Sequence, residues 1–211
     1  VGSLGGYSES ENTIDIYDIS KQYARIGVCK GHSTKVAQLD WSTDSALLQS
    51  ASSNHELLFW EMPTGTQAKF PHDLRNVDWF TWSSVVGWPV QGIIPPTSAP
   101  ADVTCCDRSH TRTAVAAGDA RGVVRVYQYP CHRGATPRCF GAHTGTITQC
   151  KFLFDDSYLI TVGADMTICQ WRVVLGGGAV EDASRSQAPR GDLRDSPSVL
   201  DDSLPTLARV S

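Results

Sequence analysis

The sequence predicts an all-β chain, and three observations carry that reading. Short runs rich in Val, Ile, Thr and aromatic residues recur along it, separated by turns of Ser, Asp, Asn and Gly. Two stretches share one spacing: His32 stands 28 residues before Trp60, and His143 stands 28 before Trp171. Ser50 and Thr161 lie ten residues before those tryptophans, and Asn54 and Asp165 lie six before them. Finally, Tyr17 and Trp60 are 43 residues apart and Tyr127 and Trp171 are 44 apart, which is a repeat period.

The residue types explain the spacing. A Trp indole N–H needs an acceptor, which a Ser or Thr hydroxyl supplies. That hydroxyl can donate to one His nitrogen, while the other nitrogen donates to a carboxylate in the next turn. His, Ser/Thr, Asp and Trp at these offsets are the tetrad of a WD-repeat β-propeller blade. His143, Thr161, Asp165 and Trp171 form one expected set. His32, Ser50, Asn54 and Trp60 form the other, with a neutral amide at Asn54 and therefore a weaker network.

The strands follow in order. Residues 13–19 alternate as a third strand of a blade, with Tyr17-Asp18 where Trp-Asp would stand. Val36, Leu39 and Trp41 mark an inner strand, Leu47-Leu48 the next, and residues 56–61 the third. Residues 123–129 repeat that third-strand pattern around Tyr127. The spacing then puts Ala99, Ala117 and Arg121 at the other tetrad places, so this blade is expected to rest on packing alone. Residues 147–154, 158–163 and 167–173 complete the last unit.

A blade takes roughly 40–45 residues, so 211 residues hold about three complete blades plus part of another. The partial propeller is expected over 1–175. Trp60 to Tyr127 spans 67 residues, which leaves a Trp-rich insertion at about 71–100. Trp79, Trp82 and Trp88 crowd into it, either packed as a lid on the propeller or forming a partner-binding patch. Residues 176–211 contain no aromatic residue and no Lys, so a disordered tail is expected there. The chain opens on Val1 in mid-blade and reads as the C-terminal part of a longer protein.

A net charge of −4 argues against a basic nucleic-acid surface. No apolar run approaches the roughly 20 residues of a membrane span. The seven cysteines are odd in number and sit in strand-like runs, which suits buried thiols in a reducing compartment. Cys105, Cys106, His110, Cys131, His132 and Cys139 lack the paired spacing of a zinc site. Asp155-Asp156 reads as a solvated hairpin turn, and the Gly176-Gly177-Gly178 run opens no helix. No catalytic residue, metal ligand or cofactor is assigned, and no enzyme is expected.

One resemblance is more specific. RNVDWFTW (75–82), VVGWPVQGIIPP (85–96), ADVTCCDRSH (101–110), AAGDARGVVRVYQYPC (116–131) and DDSYLITVGADMTICQWRV (155–173) follow in one order. Their order and wording are similar to those of the echinoderm microtubule-associated protein-like family, as are TIDIYDIS (13–20) and RIGVCKGHSTKVAQLDWSTDS (25–45). The resemblance covers about 1–173 and implies the C-terminal part of the second of two tandem propellers. It implies a non-enzymatic scaffold in a parent that binds microtubules and helps organise the cytoskeleton, located in the cytoplasm on microtubules. Trp79, Trp82 and Trp88 are the candidate contacts. The alternative is a generic WD-repeat adaptor that recruits protein partners without touching tubulin.

Overall fold

In the computed structural model, residues 2–5, 12–69, 71–94, 102–141, 143–174 and 204–210 are described. They form four antiparallel sheets. The first contains β1 (Gly2–Gly5), β2 (Thr13–Asp18) and β3 (Ala24–Lys30), in that order. The second runs β4 (Val36–Trp41), β5 (Leu47–Ser52), β6 (Leu57–Glu61) and a two-residue β7 (Thr66–Gln67). The third is β8 (Val103–Arg108), β9 (Ala114–Asp119), β10 (Val123–Gln128) and β11 (Arg138–Gly141). The fourth is β12 (Ile147–Phe152), β13 (Tyr158–Gly163), β14 (Ile168–Val174) and β15 (Thr206–Arg209). This is a partial propeller of three four-stranded blades and a three-stranded one.

The blades repeat in detail. Each inner strand, β4, β8 and β12, carries a register shift near its start, at Val36/Gln38, Val103/Cys105 and Ile147/Gln149. The extra residue bends the strand in the same place each time. The third blade keeps this bulge although it lacks the His–Ser/Thr–Trp set, so the bulge does not depend on that polar network.

Three cores lie between the four sheets. Ile14, Ile16 and Cys29 of the first sheet meet Leu48 and Trp60 of the second. Between the second and third sheets the insertion intervenes, with Trp79, Trp82, Val85, Val90 and Ile93 packed between Phe59 and Val115, Ala117 and Tyr127. The third and fourth sheets pack directly through Ala116, Val124, Val126, Ile147, Leu159 and Trp171.

The expectation of a disordered tail needs correction at its end. Residues 176–203 lie outside the described residues, as does 211. Residues 204–210, however, include β15, which pairs with β14 from Val174↔Thr206 to Trp171↔Arg209. Leu204 and Leu207 are buried, and Leu207 joins the core around Trp171. Two leucines and a strand partner offset the ordering entropy locally, which a composition averaged over the whole segment conceals.

Candidate functional site

The last blade holds a continuous polar chain. Trp171 Nε1–H donates to Thr161 Oγ1 at 3.0 Å. Thr161 Oγ1 lies 3.0 Å from His143 Nε2, and His143 Nδ1 lies 3.1 Å from Asp165 Oδ1. Thr161 is fully buried. The Thr144 backbone N–H, the Thr167 hydroxyl and its N–H, and His143 hold the Asp165 carboxyl well below its ordinary range. Gly163 is required by this cluster: a Cβ there would stand 2.5 Å from both His143 Nδ1 and Asp165 Oδ1.

The second sheet brings His32, Ser50 and Trp60 together but places Asn54 outside their chain. Trp60 Nε1–H donates to Ser50 Oγ at 2.7 Å, and Ser50 Oγ lies 2.6 Å from His32 Nε2. The partner of His32 Nδ1 is Glu56 Oε2, at 3.0 Å. Asn54 instead bonds Thr34, Ser52 and Ser33. Glu56 also accepts the Ser33 N–H at 2.9 Å, and that bond, followed by the one from His32, lowers its pKa. The network therefore ends on a carboxylate in both blades, against the expectation of a weaker, neutral end here.

The third blade does not rest on packing alone. Asp119, almost wholly buried, accepts the Arg121 and Val123 N–H groups at 2.9 and 2.8 Å and pairs with Arg125 at 2.6 Å. Tyr127 fills the Trp position and sends its hydroxyl to Ile93 O of the insertion at 3.2 Å.

That insertion is a wedge, fixed from both sides. Asp40 at the end of β4 accepts Thr81 Oγ1–H at 2.7 Å, the Ser83 N–H at 2.9 Å and Gln49 Nε2–H at 3.0 Å. Arg108 at the end of β8 donates to Trp79 O at 2.6 Å and Phe80 O at 3.1 Å. Trp82 turns its Nε1–H onto Ser84 O at 2.8 Å, and its ring covers Gly87, whose φ of +145° and missing Cβ allow the contact. Trp79 and Trp82 are 4% and 1% exposed, so neither is available to a partner. Their indoles are the filler between two blades, which is where large aromatic groups are most stabilising. Trp88 is half-buried; it stacks on Phe59 with ring centroids 6.0 Å apart and lines a groove of about 360 Å³ with Leu57 and Arg133.

Sequence reasoning missed two exposed phenylalanines. Phe80 is 69% and Phe154 is 87% exposed. Both stand at the end of the blades where inner strands turn back, and the turns there are tied together. Arg112 pairs with Asp78 at 2.6 Å, and His110 packs edge-on against Phe154 with centroids 6.4 Å apart. Asp156, expected in solvent, is buried and accepts the backbone N–H groups of His110 and Thr111, each at 2.8 Å. Only Asp155 of that pair is exposed. The signal available in sequence was the apolar Leu153-Phe154 just before an Asp-Asp turn.

No group of three or more His, Cys, Asp or Glu among the described residues is arranged to hold a metal ion. No described helix is long and apolar enough to cross a membrane.

Residues 4–173 match the family model of the echinoderm microtubule-associated protein second beta-propeller. The chain belongs to this family. It is 38% identical over 175 residues to echinoderm microtubule-associated protein-like 3 of Homo sapiens, covering 80% of this chain and 20% of that protein. It is 37% identical over 178 residues to the 77 kDa echinoderm microtubule-associated protein of Strongylocentrotus purpuratus, covering 82% of this chain and 26% of that protein. It thus spans about a fifth to a quarter of the length of these curated relatives. Among solved structures, the C-terminal WD40 domain of Sif2 superposes with a TM-score of 0.54 at 14% identity, over 77% of this chain and 50% of that one. That likeness establishes the propeller fold. The insertion wedge lies wholly within the residues matched by the family model.

Proposed function

We propose that this chain is a non-enzymatic scaffold, part of a protein that binds microtubules and helps organise the microtubule cytoskeleton in the cytoplasm. The observation that carries this reading is the exposure of Phe80 and Phe154 on turns held by Arg108, Asp156 and the Asp78–Arg112 pair. Rigid aromatic groups lose little freedom on binding, which is the property of an interface anchor. Arg112 and His110 stand beside these aromatics with their side chains engaged by Asp78 and Asp156, so contact there would be made chiefly through the rings. The polar clusters, by contrast, have their hydrogen bonds committed to joining strands and blades. Membership of a family whose relatives carry microtubule association in their names supports the same reading.

The test is co-sedimentation of the full-length parent with polymerised tubulin across a salt series. Phe80→Ala with Phe154→Ala should lower binding at least tenfold at unchanged thermal stability. Pelleting unchanged in the double variant would remove this face from the interface, and a parent that fails to pellet would overturn the reading. A second reading, a WD-repeat adaptor for protein partners, is favoured by a cleft of about 270 Å³ between Gln38, Ser52, Ser53, His55, Val85 and Thr104. It predicts peptide capture there without tubulin.

A further inference from the structure

The outer strands of the blades are not delivered alike. Four residues, Met62 to Gly65, join β6 to β7, five join β2 to β3, and nine join β10 to β11. Between β14 and β15 lie 31 residues, although Val174 and Thr206 face one another in the ladder. Hairpin connections run to roughly 2–5 residues, so β15 reaches its place as a tethered segment and not as the return arm of a hairpin.

Its contacts are those of a bound peptide. Four backbone pairs run from Val174↔Thr206 to Trp171↔Arg209, and the Val210 N–H extends the ladder to Gln170 O at 2.8 Å. Leu207 enters the core that contains Trp171, Phe152 and Leu159, bordered by Phe140 and Val173. Leu204 is buried as well. Arg138, on the outer strand of the neighbouring blade, donates to Thr206 Oγ1. Backbone pairing supplies adhesion and the leucine pocket supplies selectivity, the combination by which a sheet edge recognises an extended segment.

We propose that the outer edge of β14 is a strand-acceptor site and that residues 204–210 are its ligand, a seven-residue segment able to occupy the site in trans. Covalent attachment makes occupancy of the site an intramolecular event, so the site is filled in the intact chain. Released, the same edge is an unpaired β-strand with an open apolar pocket beside Trp171, which is a template for strand addition.

The experiment uses the full chain in two forms and a fluorescent peptide of sequence SLPTLARV, residues 203–210. In the first, Leu207→Asp with Ala208→Pro removes the pocket anchor and a ladder donor. Amide exchange over residues 170–174 should rise at least tenfold. The peptide should bind this variant saturably and leave the unaltered chain unlabelled at micromolar concentration. A peptide carrying Leu207→Asp should bind neither. In the second form, a protease sequence replaces residues 186–191 of the otherwise unaltered chain. After cleavage of the folded protein, the fluorescent peptide should exchange into the blade and the cut segment should leave. Unchanged exchange at 170–174 in the first form, or exclusion of the peptide from the cleaved second form, overturns the proposal. The cleaved form also answers for a substituted variant that does not fold.

Discussion

Asp156 and His110 join two blades across a turn: Asp156 Oδ1 accepts the His110 backbone N–H at 2.8 Å and lies 3.2 Å from its Nδ1. Burial pushes the Asp156 carboxyl up, but the bonds from Thr111 and His110 outweigh it and leave the pKa below its ordinary value. A lowered carboxylate contributes stability that is complete above the unfolded pKa, near 4, and is lost as pH falls through the folded value. Asp156→Asn should therefore cost about 1–3 kcal/mol at neutral pH. The gap from the unaltered chain should close in acid, as read by urea unfolding from about pH 7 to about pH 3. A gap independent of pH would show that shape, not charge, matters at this turn.

Glu56 and Asn54 separate cleanly by mutation. Glu56→Gln removes the charge facing His32 and should lower the melting temperature, whereas Asn54→Ala touches only hydroxyl partners around the turn and should have the smaller effect. Differential scanning calorimetry of the two variants gives the order directly, and the reverse order would restore Asn54 to the tetrad.

In the last blade, Thr161→Ala leaves the Trp171 and His143 nitrogens without their shared oxygen and should cost about 1–3 kcal/mol. Thr161→Ser retains the hydroxyl and should recover most of that loss. Gly163→Ala drives a methyl into the His143 ring and should cost a similar amount, about 1–3 kcal/mol by overpacking. Denaturant midpoints for the three variants check all of this at once.

Thiol chemistry should discriminate among the cysteines. Cys139 is exposed and the other six are buried. Burial pushes Cys29 up to about 12 and Cys131 up to about 11. An aromatic disulfide reagent at mild alkaline pH should therefore label the native chain at Cys139 first, with the rest following only on unfolding. Rapid labelling of several sites in the folded chain would contradict these cores.

Much of the fold was legible because a period of 43 or 44 residues fixes where strands fall. What the sequence concealed was contact between repeats. The ruler points to position six before the Trp, yet Glu56 reaches His32 from four before it. The chain turns between them at His55, whose φ is +65°, and Glu56, beyond that turn, is the side chain that reaches His32. In the last blade both positions serve: Asp165 lies 3.1 Å and Thr167, four before Trp171, 2.8 Å from His143 Nδ1. Asp156 reads as solvated because its turn lists only its own neighbours, and His110 belongs to another blade. Trp79 and Trp82 read as a possible patch because hydrophobicity does not say which surface a loop folds against.

The tryptophans fall in a pattern with a spectroscopic consequence. Trp60 lies in the seam between the first and second sheets, Trp79 and Trp82 in the second seam, and Trp171 in the third. Each seam thus carries its own chromophore in a distinct surrounding: beside His32 for Trp60, a ring-on-ring pair for Trp79 and Trp82, and Phe140 for Trp171. Trp41 borders the first seam and Trp88 the second, so emission is the sum of six indoles, and keeping the indoles of one seam while replacing the others by phenylalanine would allow each seam's opening to be timed separately.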